Sequence, residues 1–215
     1  MALKKTAVLI HGYHLGAEGW EELVWGHPPE RMGVISRGVL LAKELDAALL
    51  CWGTGASEKE GKKEGERMYE YALAHLPEHA EFLKEHSQVD TSAHNTVEEI
   101  HVAMEACLAQ GVERLFLVAA ATHAARSLNT ALTLCEEEKF EKFRHNIFAA
   151  PADTSYAGHT PGDTYIMEPP HRGDRPKVPL YKNVARLGAF RRSQALAAEF
   201  NTAFGKFLDE WEKKL

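Results

Sequence analysis

The chain has 215 residues, 45% of them hydrophobic and 26% charged, an ordinary balance for a globular protein with room for one good-sized core. A net charge of −6 argues against the basic patch that duplex binding needs, and the longest apolar runs are far shorter than a membrane span. The expectation is a single cytoplasmic domain over residues 1–215 that takes a small-molecule ligand, with no nucleic acid and no membrane as partner.

The opening MALKKTAVLIHG has two lysines and a short apolar run. A signal peptide needs a longer apolar region and a small-residue cleavage site, so residues 7–10 read as a buried strand that ends at glycine. Residues 12–30, rich in Gly, His, Trp and Pro, read as a long loop. Val34, Leu41 and Leu45 fall near helical spacing and predict a helix over 31–45. AALLCWG (47–53) is a second strand, and GTGAS turns the chain after it. A helix is expected over 62–75, stopped by Pro77, with a further short helix in EHAEFLKEH.

In DTSAHNTVEEIHVAMEACLAQG, Asn95 is placed to cap a helix and Glu98 stands three residues later in the capping-box position. Ile100, Met104, Cys107 and Leu108 supply its apolar face and Gly111 its stop. RLFLVAAA (114–121) is the strongest strand of the chain. A helix opens at Thr122 in THAARSLNTALTLCEEEKF, with EEEK as a solvated helix end, and HNIFAAP carries a last short strand. Residues 151–183 hold six of the nine prolines and no periodicity, and read as a lid-like loop. Residues 185–214 read as a long helix with Leu196, Phe200, Phe204, Phe207 and Leu208 on one side. Strands alternating with helices predict a Rossmann-like three-layer α/β/α fold around a mostly parallel sheet. The three cysteines, Cys51, Cys107 and Cys135, form no CxxC pair and are expected to be reduced and buried.

In open α/β sheets ligands bind beyond the C-terminal ends of the strands. That rule selects His11, Gly12, Tyr13 and His14 after the first strand, and Gly53, Thr54 and Gly55 after the second. It also selects Thr122, His123 and Arg126 after the strongest strand, and Ser92, His94, Asn95 and Thr96 before the capped helix. Glycine turns, a helix N-terminus and an arginine suit a phosphate or carboxylate. Each residue also has a plain structural reading: Gly53 and Gly55 turn the chain, and Asn95 and Thr122 cap helices. His123 and Arg126, three apart, share one helix face.

The His-Gly that ends the first strand is also the start of an esterase oxyanion loop. An α/β-hydrolase needs its nucleophile in G-x-S-x-G, and no such pentapeptide exists here; VISRG around Ser36 lacks the first glycine. Neither GTG nor HGYHLG fits a dinucleotide or triphosphate loop. Twelve histidines invite a metal, but His11 and His14 lie on a loop with no obvious carboxylate partners, and no metal ligands are assigned.

SAHNTVEE followed by LFLVAAATHAARS resembles the signature of the YdcF/SanA/ElyC-like proteins. There a Ser/Thr-Asn-Thr-x-Glu-Asn segment opens a helix, and a later strand ends in a Thr-containing turn with His-x-x-Arg. Asn95, Thr96 and Glu98 match the first segment, and His123 and Arg126 the second. His11-Gly12, Arg37 and Gly53-Thr54-Gly55 are the counterparts of the family's glycine-rich turn, helix-opening arginine and Ser-Gly-Gly; Glu64 or Glu66 stands for its next glutamate. Glu99 replaces the family's usual Asn, and the first turn keeps one glycine. The resemblance covers residues 5–150. It implies a Rossmann-like α/β/α fold, the soluble branch of the family, and S-adenosylmethionine or a nucleotide as ligand or cofactor, with no reaction assigned.

Three functional readings follow. The first is a binder, and an enzyme of unassigned reaction, for a small anionic metabolite: a nucleotide, S-adenosylmethionine or a phosphorylated compound. Arg37 and Arg126 clamp the anion, Asn95 and Thr96 orient the ligand, His123 transfers a proton, and Glu98 orients His123 or an arginine. The second is a non-catalytic ligand sensor that uses the same pocket. The third is a metal-dependent hydrolase built on His11, His14 and His123.

Overall fold

Strand β1 (Thr6–Ile10) is buried along its whole length in the computed structural model, which describes residues 5–156 and, near the chain's end, Glu199, Thr202, Ala203, Gly205, Lys206, Phe207, Glu210 and Lys213. After it come helix α1 (Trp20–Val24), a hairpin of β2 (Gly26–His27) and β3 (Arg31–Met32), α2 (Val34–Glu44) and β4 (Leu49–Trp52). A second hairpin, β5 (Glu58–Lys59) and β6 (Lys62–Lys63), leads into α3 (Glu64–His75). Pro77–His79 makes a 3-10 turn before α4 (Ala80–His86), β7 (Ser87–Val89) and α5 (Thr96–Ala109). Then follow β8 (Arg114–Val118), α6 (Ala121–Leu134), a 3-10 segment Glu138–Phe143 and β9 (Ile147–Ala149).

Five strands form one parallel sheet in the order β7-β4-β1-β8-β9. The chain starts in the middle, steps outward through β4 and β7, then returns to the other side of β1 for β8 and β9. The strand order therefore reverses between β1 and β8, which makes a crevice beyond their C-terminal ends. The Rossmann-like α/β fold is the one expected.

Side chains alternate across the sheet with period two. Val8, Ile10, Leu50 and Trp52 join Val34, Ile35, Val39 and Met68 of α2 and α3 in one core cluster. Ala7, Leu9, Leu49 and Cys51 join Ile100, Met104 and Cys107 of α5 and Leu134 beside them in the other. Both sheet faces are thus covered, which is why these strands read as continuous apolar runs. All three cysteines are free and buried. Burial pushes the Cys107 thiol up to about 12 and raises those of Cys51 and Cys135, so they stay protonated filler rather than nucleophiles.

Several boundaries differ from the sequence reading. The expected loop over 12–30 contains α1 and the start of a hairpin, because Leu23 and Val24 are buried in the α2-side core and Trp20 packs against it. The helix expected from 62 starts at Glu64, since 58–63 pair as a hairpin. β7 was not legible: three residues at a sheet edge carry no periodicity. α6 ends at Leu134, short of the acidic run, and Phe140 and Phe143 bury themselves from the following 3-10 segment. Gly111 follows α5 with φ of 65°, as a helix stop requires.

No helix among the described residues is long and apolar enough to cross a membrane. The chain divides into two compact units, Met1–Thr164 and Tyr165–Leu215. In the second, Glu199, Thr202, Ala203, Gly205, Lys206, Phe207 and Glu210 are helical. Most of the expected loop over 151–183, and most of the expected helix over 185–214, lie outside the described residues.

Candidate functional site

The backbone of β1 runs one residue past the strand, with the His11 N–H donating to the Val118 carbonyl, so His11 is held at the reversal of strand order. Its side chain is 2% exposed. From α5, Glu99, 4% exposed, reaches it with both oxygens engaged. The His11 Nδ1–Glu99 Oε2 distance is 2.6 Å, and the Gly12 N–H donates to Oε1 at 2.9 Å. The His11 ring and the Glu99 carboxylate therefore share one hydrogen, and the Gly12 N–H holds the carboxylate in place.

The His11 ring lies against His123 with centroids 5.4 Å apart and planes 29° apart. His123 stands in the first turn of α6 and is buried. Its Nδ1 pairs with the Tyr156 hydroxyl, and its Nε2 is 3.4 Å from Thr96 Oγ1. Arg126 Nη2 lies 3.0 Å from Nδ1 and 3.1 Å from Nε2 of the same ring. Near-equal approach to two nitrogens that flank one carbon puts the guanidinium over the ring rather than along either lone pair. Arg126 also reaches Thr96 Oγ1 at 3.4 Å. Tyr156 stacks on Tyr13 at 5.1 Å, and burial raises its phenol well above the ordinary value, so it stays neutral.

A second buried carboxylate sits on the other side of Gly12. Glu64 accepts from Thr54 Oγ1 at 2.7 Å and Ser57 Oγ at 2.6 Å. A Cβ on Gly12 would stand 2.5 Å from Glu64 Oε2, so glycine is what lets the turn after β1 pass the carboxylate. Burial raises the Glu64 carboxyl, against the two hydroxyl bonds that lower it, and the nearby Glu99 charge adds to the rise. A folded-state value above the ordinary 4.5 means that the fold holds this proton more tightly than the unfolded chain does. Its contribution to stability is full below that value and is lost as pH rises through the folded one. The Tm advantage of the native chain over Glu64→Gln is therefore expected to shrink as pH rises from acid to neutral. Melting curves across that range check it, and a pH-independent difference would contradict the raised value.

Most of the residues selected from the sequence are brought together. His11, Gly12, Tyr13 and His123 line one narrow crevice with Tyr156, Ala119 and Ala120. Thr96 and Arg126 border His123. Thr54 lies beside Gly12, and Gly53 and Gly55 flank it in a turn packed on α3 and on Thr91. Thr122 is buried in the first turn of α6, and its Oγ1 has no hydrogen-bond partner.

Three expectations are corrected. Glu98 does not orient His123 or an arginine: it is exposed, and its carboxylate accepts from the His94 N–H and the Asn95 amide. Asn95 does not orient a ligand either, because its side-chain oxygen accepts from the amides of Val97 and Glu98 as the α5 cap. Arg37 stands at the fourth position of α2 without a hydrogen bond or ion pair to the His123 group, and its buried Nε, like His11 Nε2, has no partner. The metal triad also fails on geometry. His14 is exposed and accepts from the Gly16 N–H, and no three His, Cys, Asp or Glu side chains among the described residues are grouped to hold a metal ion. Of the two glutamates offered as counterparts, Glu64 is the buried one, while Glu66 accepts the Lys63 N–H at the start of α3.

Sequence reasoning missed Glu99 and Tyr156. Glu99 had a signal: it stands four and eight residues before Ala103 and Cys107, at the head of the buried stripe of α5. Tyr156 had none, since it lies in irregular chain. Searches with this chain against family models, curated proteins and solved structures found no match.

Proposed function

We propose that the crevice beyond β1 and β8 binds a small anionic metabolite and that the protein is an enzyme that moves a proton on it. One observation carries the reading. Three of the buried polar atoms without a hydrogen-bond partner among the described residues, His11 Nε2, Thr122 Oγ1 and Ser155 Oγ, belong to the three segments that meet there: the end of β1, the start of α6 and the chain leading to Tyr156. Native interiors pair nearly all such atoms, so unpaired ones at a switch point in the sheet favour a ligand that supplies the partners. Arg126 and the N-terminus of α6 give the positive field that a phosphate or carboxylate prefers. His123 touches this group through its ring, and the resemblance to the YdcF/SanA/ElyC-like proteins selects the same His123 and Arg126. Nucleotides, S-adenosylmethionine and sugar phosphates all present such an anionic end.

A thermal-shift screen with those three classes tests the reading. A ligand at a hundredfold its Kd stabilises by about 2.7 kcal/mol, a clear rise in Tm. The rise is expected with one class and is expected to vanish in Arg126→Ala. No rise with any of them, or a rise that survives Arg126→Ala, would count against it. The sensor reading keeps one supporting contact, the Tyr156 hydroxyl on His123 Nδ1, which a ligand would displace. His11→Gln, which leaves the His123–Tyr156 contact in place, separates the two: a sensor keeps ligand binding and its response, whereas an enzyme loses turnover.

A further inference from the structure

We infer that His11, held by Glu99, is the group that accepts the substrate's proton, and that the substrate is an anion bearing a hydroxyl, such as a phosphorylated sugar. This rests on the anionic-ligand reading above and adds to it the identity of the base. Glu99 Oε2 takes the Nδ1 hydrogen, and Oε1 is fixed by the Gly12 N–H, so the carboxylate cannot swing away. The stacked His123 ring on one side holds the imidazole against rotation. With Nδ1 protonated, the neutral ring presents its lone pair at Nε2. That atom is buried and has no hydrogen-bond partner. A carboxylate, an imidazole and an unclaimed lone pair, in that order, form the base half of a nucleophile-activating relay.

His123 suits a different task. Both of its ring nitrogens already face Tyr156, Thr96 and Arg126, so it is better placed to hold a ligand than to take a proton from it. Thr122 Oγ1 and Ser155 Oγ are unpaired hydroxyls on the residues next to His123 and Tyr156, and a base of this kind needs a substrate that carries an O–H. In the step, the O–H bond of the sugar's hemiacetal hydroxyl breaks and an N–H bond forms at His11 Nε2; the freed electron pair closes a carbonyl as the ring C–O bond opens, and the ring oxygen takes the proton back. The new imidazolium is neutralised by Glu99. No oxidant, reductant or second substrate enters. Glu99 is a positioning residue here, since it acts through His11.

The test uses the full chain with 15N-labelled histidine, the His11 signals being assigned by their loss in His11→Gln. Long-range proton–nitrogen spectra distinguish a protonated ring nitrogen from a bare one. The expected result is hydrogen on Nδ1 and a lone pair on Nε2 at neutral pH. Ribose 5-phosphate is expected to raise Tm and move the Nε2 signal, and inorganic phosphate to move it less. Glu99→Gln keeps one oxygen for two donors, so it is expected to lose the Nδ1–H form and, with it, the ribose 5-phosphate shift at Nε2, which a merely structural role would leave in place. Hydrogen on Nε2 of the native protein overturns the assignment. A Tm that rises with ribose 5-phosphate while Nε2 stays unmoved overturns it too, yet leaves the anionic-ligand reading standing. A Tm unmoved by ribose 5-phosphate overturns the substrate class, and a rise with a nucleotide or S-adenosylmethionine instead leaves the anionic-ligand reading standing, whatever the tautomer.

Discussion

Glu99→Ala is expected to lose about 3–5 kcal/mol of stability, because each of the two donors it leaves without an acceptor costs about 1–3 kcal/mol. The loss is large because two donors are stranded at once. His11 Nδ1–H and the Gly12 N–H both end on this carboxylate, and His11 and Glu99 are both buried. A buried donor without an acceptor keeps the full desolvation cost of about 1–3 kcal/mol, so the deletion exceeds the net worth of either bond. In a domain of this size the midpoint is expected to fall by roughly 10 °C or more. The double change His11→Leu with Glu99→Leu is expected to cost much less than the sum of the two single changes, because it removes donor and acceptor together. Chemical denaturation of the four proteins in that cycle checks it. Additive losses would mean that the two side chains are not coupled, and the dyad would be withdrawn.

Gly55→Ala is expected to be the most damaging change of a single methyl, costing about 3 kcal/mol, the upper end for overpacking a filled interior. A Cβ there would overlap the Thr91 carbonyl oxygen, and the obstacle is backbone, which cannot rotate aside. The Gly55 N–H donates to the Ala93 carbonyl, so the turn after β4 is laced to the loop that precedes α5. Pushing the two apart would disturb Thr54 and its bond to Glu64 on one side and the approach to Glu99 on the other. Stability and any ligand-induced Tm rise are therefore expected to fall together. A folded Gly55→Ala protein of native stability would show that the two loops move freely past each other. Gly61, by contrast, has nothing within reach of a Cβ, though its φ of 74° makes a side chain strained there for a local reason only.

Much of this architecture was legible because its signals are local. Val8 and Ile10 alternate with Ala7 and Leu9, and glycine closes the run; a strand buried on both faces has to look that way. Asn95 with Glu98 marked the start of α5 because a cap needs an acceptor at a set distance from the first amides. The same local logic misled at Glu98. Capping-box spacing and a catalytic role predict the same residue, and the exposed carboxylate turned out to serve only the cap. One residue further round the helix, Glu99 points inward, a difference of about 100° set by 3.6 residues per turn.

The chain by itself determined the alternation of strand and helix, the caps that start and stop the helices, and a set of imidazole, hydroxyl and guanidinium groups at strand ends. Tertiary structure decided which of them meet. His11 and Glu99 are 88 positions apart, His123 and Tyr156 are 33 apart, and Glu64 comes beside Gly12 only because β4 pairs with β1. Such meetings depend on strand order and helix rotation, which are settled by burying two apolar clusters on opposite faces of one sheet. No local pattern encodes that choice, because the free energy that makes it belongs to the whole core.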